Sequence, residues 1–227
     1  MKNRFFKKIY IISMLIIMPL LTKAQNSLLY DITGRPYRET SYTNIEGSPF
    51  LTDIWINGTV KLLNGKVYKD VLLKYDLVAD EPIFQSKNQQ PLRFVEQVAE
   101  FNLVFPETDS LQGRLFRNGF KNTDTYTSKT FYEVLEEGNM TLLKRIKQEI
   151  NEVRPFNSAS VTRNFLEAEA YYIFHNAEIV RFKKDKAGLL TLTGDQEPMV
   201  EKFISQNKLN VKNEADLIRI VKYYNTL

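Results

Sequence analysis

Two glutamates, Glu167 and Glu169, form the candidate catalytic pair of this sequence. They lie in the segment Phe165 to Phe174, where alternating side chains predict a β-strand. Side chains at positions i and i+2 of a strand point to the same face, and glycoside hydrolases use two carboxyl groups about 5–10 Å apart. The spacing therefore allows acid–base chemistry. Glutamates are also common on solvent-facing strands without any catalytic role, and we favour this interpretation for Glu167 and Glu169.

His175 is the only histidine, so any imidazole-based mechanism has to use it. A serine hydrolase would need a serine and a carboxylate brought to it by the fold, and the sequence has no G-x-S-x-G motif. A zinc site with one histidine and no cysteine would depend on carboxylates, whereas zinc prefers nitrogen and sulfur ligands. We therefore interpret His175 as a turn residue between two strands and predict no metal site.

Trp55 is the aromatic residue that we would test for contact with a ligand. It lies between Asp53 and Asn57, ahead of the first predicted hairpin. Most tryptophans are largely buried and serve packing, which is the first interpretation here. The sequence has no EF-hand loop and no glycine-rich phosphate-binding loop, so we predict no cofactor.

Short strands and tight turns organise the chain from residue 59 onward. Asn64-Gly65 between two runs of β-forming residues is the strongest local signal for a hairpin. Further alternating runs predict separate strands, at residues 71–78, 99–105 and 165–174. The composition of Met140 to Ile150 would also suit a helix, but the preceding Gly138-Asn139 turn favours a strand. The pattern predicts a curved antiparallel meander.

The C-terminal residues 195–227 change to a helical pattern. Asp195 is a candidate N-cap for a helix with one apolar stripe, made of Met199, Val200, Phe203 and Ile204. A second helix begins at Asn213. We therefore predict a mainly β (α+β) fold, in which an extended arm at 25–58 precedes one β-rich domain at 59–227 with a C-terminal pair of short helices.

The first 24 residues have the pattern of a cleavable export signal. A basic start precedes an apolar run from Ile9 to Leu21, and small residues stand at Thr22 and Ala24, before a cut at Gln25. The run is shorter than the roughly 20 residues of a transmembrane helix, so we predict no membrane span after cleavage. A lipoprotein would need cysteine at the position of Gln25, and we therefore predict an exported protein that is not a lipoprotein.

Removal of this segment changes the charge of the protein. The whole chain has 31 basic and 27 acidic residues and a net charge of +4. The first 24 residues hold five basic residues and no acidic one, so the mature chain has 26 basic and 27 acidic residues and a net charge of −1. A near-neutral protein lacks the basic face that nucleic acid or an anionic membrane would need. The absence of cysteine excludes disulfides and thiolate chemistry.

Three segments resemble exported proteins of Bacteroidota. The segment Asn57 to Lys66, followed by Val71 to Tyr75, is similar to a "G-x-V-x-L-x-x-G … V-x-L-x-Y" motif of these proteins. The segment Phe131 to Leu135 with Gly138 and Leu142 to Arg145, and the ending from Phe203 to Asn225, resemble them as well. The resemblance spans most of the mature chain. It implies a location in the periplasm or outer envelope of a Gram-negative cell, and it carries no catalytic residues.

Three functions remain open at the level of sequence. The first is a non-enzymatic binding or assembly module of the cell envelope, with another envelope protein, a lipid or a glycan as its partner. The second is a glycan-directed envelope hydrolase that uses Glu167 and Glu169. The third is a lipid-carrying half-barrel with an apolar cavity between sheet and helices. The missing nucleotide, metal and thiolate motifs lead us to favour the first function.

Overall fold

A computed structural model describes residues 32–38, 42–105, 113–121, 126–154 and 161–227. The predicted export signal, the Gln25 junction and the beginning of the arm lie outside these residues. Within them, the strands form one eleven-stranded antiparallel sheet followed by C-terminal helices, which confirms the predicted fold class. No helix in these ranges combines the length and apolar character needed to cross a membrane.

The sheet joins two meanders. The strands are β1 (Gly34–Pro36), β2 (Ile56–Leu62), β3 (Val67–Asp76), β4 (Glu81–Gln85), β5 (Pro91–Phe94), β6 (Val98–Leu103), β7 (Arg114–Arg117), β8 (Tyr132–Glu136), β9 (Met140–Val153), β10 (Thr162–His175) and β11 (Glu178–Phe182). Their spatial order is β1-β5-β4-β3-β2-β6-β7-β8-β9-β10-β11. Strands β6 to β11 therefore follow one another as in the chain, while β5 to β2 run in reverse order on the other side.

The predicted hairpin and the predicted strand at Met140 are both confirmed. Gly65 has a φ of 88° at the tip of the β2–β3 hairpin, a conformation that favours glycine. The strand predicted separately at residues 71–78 is instead part of β3, which continues past Lys69 to Asp76. A register shift marks a bulge opposite β2, and Asp70 there has a φ of 56°. The local break in the sequence pattern is this bulge rather than a turn.

Three helices follow the sheet, α1 (Lys186–Thr193), α2 (Glu197–Gln206) and α3 (Glu214–Tyr224). The predicted pair is present as α2 and α3, and the Asn213 side chain caps α3 by accepting from the Asp216 amide at 3.0 Å. Helix α1 was not predicted, so the helical part begins before residue 195. The prediction of Asp195 as an N-cap is wrong, because it lies in a 3₁₀ turn and Gln196 precedes α2 without a side-chain cap.

The N-terminal residues are bound to the sheet by backbone and side-chain contacts. Strand β1 adds an edge beside β5, and β2 already begins at Ile56. The Glu46 amide donates to the Arg163 carbonyl of β10 at 2.8 Å, and the Leu51 amide donates to the Tyr75 carbonyl of β3 at 2.9 Å. One short segment thus contacts strands that are far apart in the sheet order, which requires the sheet to curl.

Two large apolar clusters fill the molecule. The first lies inside the curl, where four rings meet: Tyr75, Phe101, Phe116 and Phe131. The second lies between the helices and the end of the sheet formed by β8 to β11, and it includes Met140, Leu142, Ile173, Val200, Leu217 and Val221. The helices therefore cover one face of β9 and β10, and the residues that alternate with this cluster point to the other face.

Candidate binding site

The structure places Glu167 and Glu169 on β10, where both are exposed. Glu167 lies opposite Gln148 of β9, and Glu169 lies opposite Ile146. The Glu169 carboxylate is 2.8 Å from the Lys144 ammonium. The two glutamates therefore share the helix-covered face, as the i and i+2 spacing predicts, and one of them is held in an ion pair.

This ion pair belongs to a larger network that joins α3 to the sheet. The Lys144 ammonium is also 3.0 Å from the Glu214 carboxylate, which accepts a hydrogen bond from the Tyr171 hydroxyl. Burial alone would raise the pKa of Glu214, but Tyr171 and Lys144 outweigh it and hold that pKa below its ordinary value. Burial likewise disfavours the charged Lys144, yet its two carboxylate partners raise its pKa. The charges on this face compensate one another.

His175 is the last residue of β10 and precedes the Asn176-Ala177 turn. Its Nδ1 is 2.8 Å from the Asn139 carbonyl oxygen, and because a carbonyl accepts, Nδ1 carries the proton in this contact. Glu169 lies six positions before His175, a distance of about 20 Å along β10. The structure does not bring the histidine to the carboxylates. Its contact ties the end of β10 to the β8–β9 turn.

Trp55 is half-buried and packs beside the N-terminal residues rather than in an open site. The Lys74 ammonium lies 5.2 Å from the centre of the Trp55 ring and 4.9 Å from the centre of the Phe50 ring. Such cation–π contacts attach the segment before β2 to strand β3. A depression of about 560 Å³ near Phe50 is lined by Tyr37, Tyr42, Asp53 and Lys74, and Trp55 is not among its lining residues.

The face of β9 and β10 opposite to the helices carries a cavity of about 440 Å³, which we call the cleft. This volume lies in the range of small-molecule sites. Three cations, two tyrosines and several small or apolar residues line it, together with Glu169: Tyr126, Arg145, Lys147, Ala168, Ala170, Tyr172, Ile179, Val180 and Arg181.

Strand register produces the cleft. Arg145 lies directly opposite Ala170, and Lys147 lies directly opposite Ala168. Strand β11 ends at Phe182, opposite Tyr171, so no residue of β11 lies beside these alanines. A methyl group opposite each long cation leaves space above the sheet and supplies no counter-charge. The cavity therefore follows from the pairing of large residues on β9 with small residues on β10.

Arg145 is held in place from behind by a buried network. Its guanidinium is 3.2 Å from the Asp80 carboxylate and donates to the Tyr75 hydroxyl at 3.2 Å. The Tyr75 hydroxyl in turn donates to Asp80 at 2.5 Å. Burial raises the pKa of Tyr75 well above its ordinary value, so this donor keeps its proton. Burial also raises the pKa of Asp80, although Arg145 and Tyr75 oppose that rise.

The other side chains of the cleft are more accessible. Arg181 of β11 lies opposite Tyr172, is exposed, and forms no ion pair within the described part of the chain. Lys147 forms a surface pair with Glu149. The rings of Tyr126 and Tyr172 meet edge to face at 6.1 Å. Burial raises the pKa of Tyr172, and the hydrogen bond that its hydroxyl donates to Tyr126 adds to this rise, so Tyr172 is a neutral phenol at physiological pH.

Sequence reasoning missed the cleft because it followed the glutamates of β10 instead of the residues that alternate with them. The available signal was the pair Ala168 and Ala170, which leaves one face of the strand without bulk. That signal becomes informative only with the register, which places Arg145 and Lys147 opposite the alanines. The register depends on tertiary packing and cannot be derived from either strand alone.

The described residues contain no group of three or more His, Asp or Glu side chains arranged to hold a metal ion. Comparison with known proteins finds no matching family model, and neither a curated protein nor a solved structure matches the chain.

Proposed function

We propose that the mature chain is an exported, non-enzymatic binding module of a Gram-negative cell envelope, and that the cleft is its binding surface. The export pattern of the first 24 residues and the resemblance to exported proteins of Bacteroidota support the location. The observation that carries the binding role is the cleft itself, an open cavity of about 440 Å³ with a rigidly held arginine and two tyrosines.

The placement of the candidate catalytic residues favours binding over hydrolysis. A retaining or inverting glycosidase needs two carboxyl groups that face one substrate, one of them available as an acid. Glu169 is ion-paired with Lys144, and His175 lies at the far end of the same strand in contact with Asn139. These residues lie apart from one another and serve structural contacts.

Packing between sheet and helices favours the cleft over a lipid cavity. Side chains of the second apolar cluster occupy this space, and several of them are completely inaccessible to solvent, including Met140, Leu142, Val200, Leu217 and Val221. Close-packed side chains of this kind leave little room for an acyl chain. A small ligand in the open cleft therefore fits the structure better than a carried lipid.

The test of the binding role fills the cleft without changing its charge. The full chain, expressed with its own signal and purified from the fraction where it accumulates, is incubated with small molecules extracted from the envelope. Mass spectrometry then identifies what the protein retains. We expect Ala168→Trp to abolish retention, while Ala187→Trp, at an exposed position of α1, leaves it intact.

Two results would contradict the proposal. Accumulation of the chain in the cytoplasm would contradict the envelope location. Equal retention by the wild-type and Ala168→Trp proteins would remove the cleft as the binding surface. Turnover of an envelope glycan that is lost in Glu169→Gln would instead establish the hydrolase hypothesis.

A further inference from the structure

The cleft presents hydrogen-bond donors and few acceptors. Its lining has three cations and one carboxylate, Glu169, which pairs with Lys144 on the opposite face. Guanidinium and ammonium groups donate only, so these lining groups favour a ligand that accepts hydrogen bonds. Arg145 is paired with Asp80 and Lys147 with Glu149, so within the described residues it is the exposed Arg181 whose charge has no carboxylate partner.

Two of the three cations are available to a ligand. Arg181 is exposed, and the described residues provide no carboxylate partner for it. Lys147 pairs with Glu149 at the surface, where both side chains remain accessible. Surface pairs of this kind contribute little to stability and exchange readily for another anion. A bound anion could therefore recruit both groups at small cost.

The third cation supplies a fixed positive charge beneath the cleft. The Arg145 side chain is only 6% exposed, and Asp80 and Tyr75 determine its orientation. Its Nε–H has no hydrogen-bond partner within the described residues, although the two terminal nitrogens are engaged. Because the Arg145 side chain is already ordered, it loses little conformational entropy when a ligand binds, and this small cost favours a higher affinity.

We infer that the cleft binds the oxyanion of a small ligand, a carboxylate or a phosphate, through Arg181 and Lys147 with Arg145 behind them. This inference rests on the proposed function, because it names the ligand class of the same cleft. Arginine suits both anions, since its planar fork can donate two parallel hydrogen bonds to either. The flanking rings of Tyr126 and Tyr172 would then contact the uncharged part of the ligand.

Three sugars that differ at one carbon test this inference: glucose, glucuronate and glucose 6-phosphate. Isothermal titration calorimetry of the full chain measures the affinity of each. We expect the two acids to bind and glucose to bind at least about tenfold more weakly, because hydrogen bonds to charged groups are the stronger ones. The tighter of the two acids identifies the preferred anion. Added salt should weaken the binding of both acids.

Charge variants locate the contact. Arg181→Gln should weaken the binding of the acids by about ten- to a hundredfold, whereas Arg219→Gln, at an exposed position of α3, should leave it unchanged. Equal binding of glucose and the acids, no effect of Arg181→Gln, or no acid binding up to about 10 mM would each overturn the inference. If Ala168→Trp still abolishes retention of an envelope molecule in these cases, the cleft is the binding surface as proposed, but its ligand is not an anion.

Discussion

The two faces of the β9–β10 ladder carry the same kinds of residues, but these residues make different contacts on each face. Lys144 and Arg145 are consecutive in β9, and Tyr171 and Tyr172 are consecutive in β10, so each pair contributes one residue to each face. On the helix-covered face, Lys144 contacts Glu169 and Glu214. On the cleft face, the residue opposite Arg145 is an alanine.

The difference lies in the groups that surround each cation: Lys144 contacts Glu169, diagonal to it on β10, and Glu214 of α3, whereas Arg145 faces Ala170. Opposite charges or polar groups on adjacent strands form compensated networks that contribute to stability. Arg145 is paired with Asp80 and Lys147 with Glu149, but the alanines opposite them leave open space on the cleft side. The helix-covered face therefore joins α3 to the sheet, and the cleft face keeps an open cavity, which we propose as the ligand site. Substitutions that remove a counter-charge from one face, or add one to the other, test this difference.

The largest effect is expected at the carboxylate behind the cleft. Asp80→Ala leaves the buried Arg145 guanidinium without its counter-charge, and we expect a loss of about 3 kcal/mol in the free energy of unfolding, measured by urea denaturation. The double variant Asp80→Ala, Arg145→Met should recover part of this loss, since it removes the buried charge. A loss below about 1 kcal/mol for the single variant would show that Arg145 is not held by Asp80.

A smaller effect is expected on the helix-covered face. Lys144→Met leaves Glu169 and Glu214 without their shared cation and should cost about 1–2 kcal/mol in the free energy of unfolding. Lys144 itself points away from the cleft, although its partner Glu169 lines it, so ligand binding there should fall much less than in Arg181→Gln. Lys61→Met, at an exposed position of β2, is the matched control. Equal losses of binding in Lys144→Met and Arg181→Gln would mean that the two faces are not independent.

A carboxylate added to the cleft face would give it the charge pairing of the helix-covered face. Ala168→Glu places a carboxylate directly opposite Lys147, and a cross-strand pair of opposite charges should stabilise the fold by up to about 0.5 kcal/mol. The same carboxylate should compete with an anionic ligand and weaken its binding in calorimetry. Ala168→Gln controls for side-chain size. Unchanged binding in Ala168→Glu would contradict the role of Lys147 in anion binding.

The smallest effect concerns acid stability. The pKa of Glu214 lies below its ordinary value of 4.5, so the charged form is favoured in the folded state. Its contribution is present above the unfolded pKa and is lost as pH falls through the folded pKa. Glu214→Gln should therefore flatten the fall in stability below about pH 4.5, by a few tenths of a kcal/mol because the side chain is partly exposed. Urea midpoints at pH 3 to 7 check this, and an unchanged slope would contradict it.

Local signals in the sequence were sufficient for much of the fold. Asn64-Gly65 predicted the first hairpin, Gly138-Asn139 predicted that Met140 begins a strand, and Asn213 predicted the start of α3. Helix α1 was missed because Leu190 and Leu192 alternate with threonines as in a strand, while its cap at Asp185 came without a clear apolar stripe. Packing on the sheet decides its conformation.

The local sequence pattern is enough to predict how side chains alternate along β9 and β10, and with it which residues share a face. It also determined that Glu167 and Glu169 lie together, because the period of a strand is a local property of the backbone. The residue of β9 that lies opposite each residue of β10 could be read only from the folded protein. That register depends on contacts between distant segments, and it places alanines beside Arg145 and Lys147 to open the cleft.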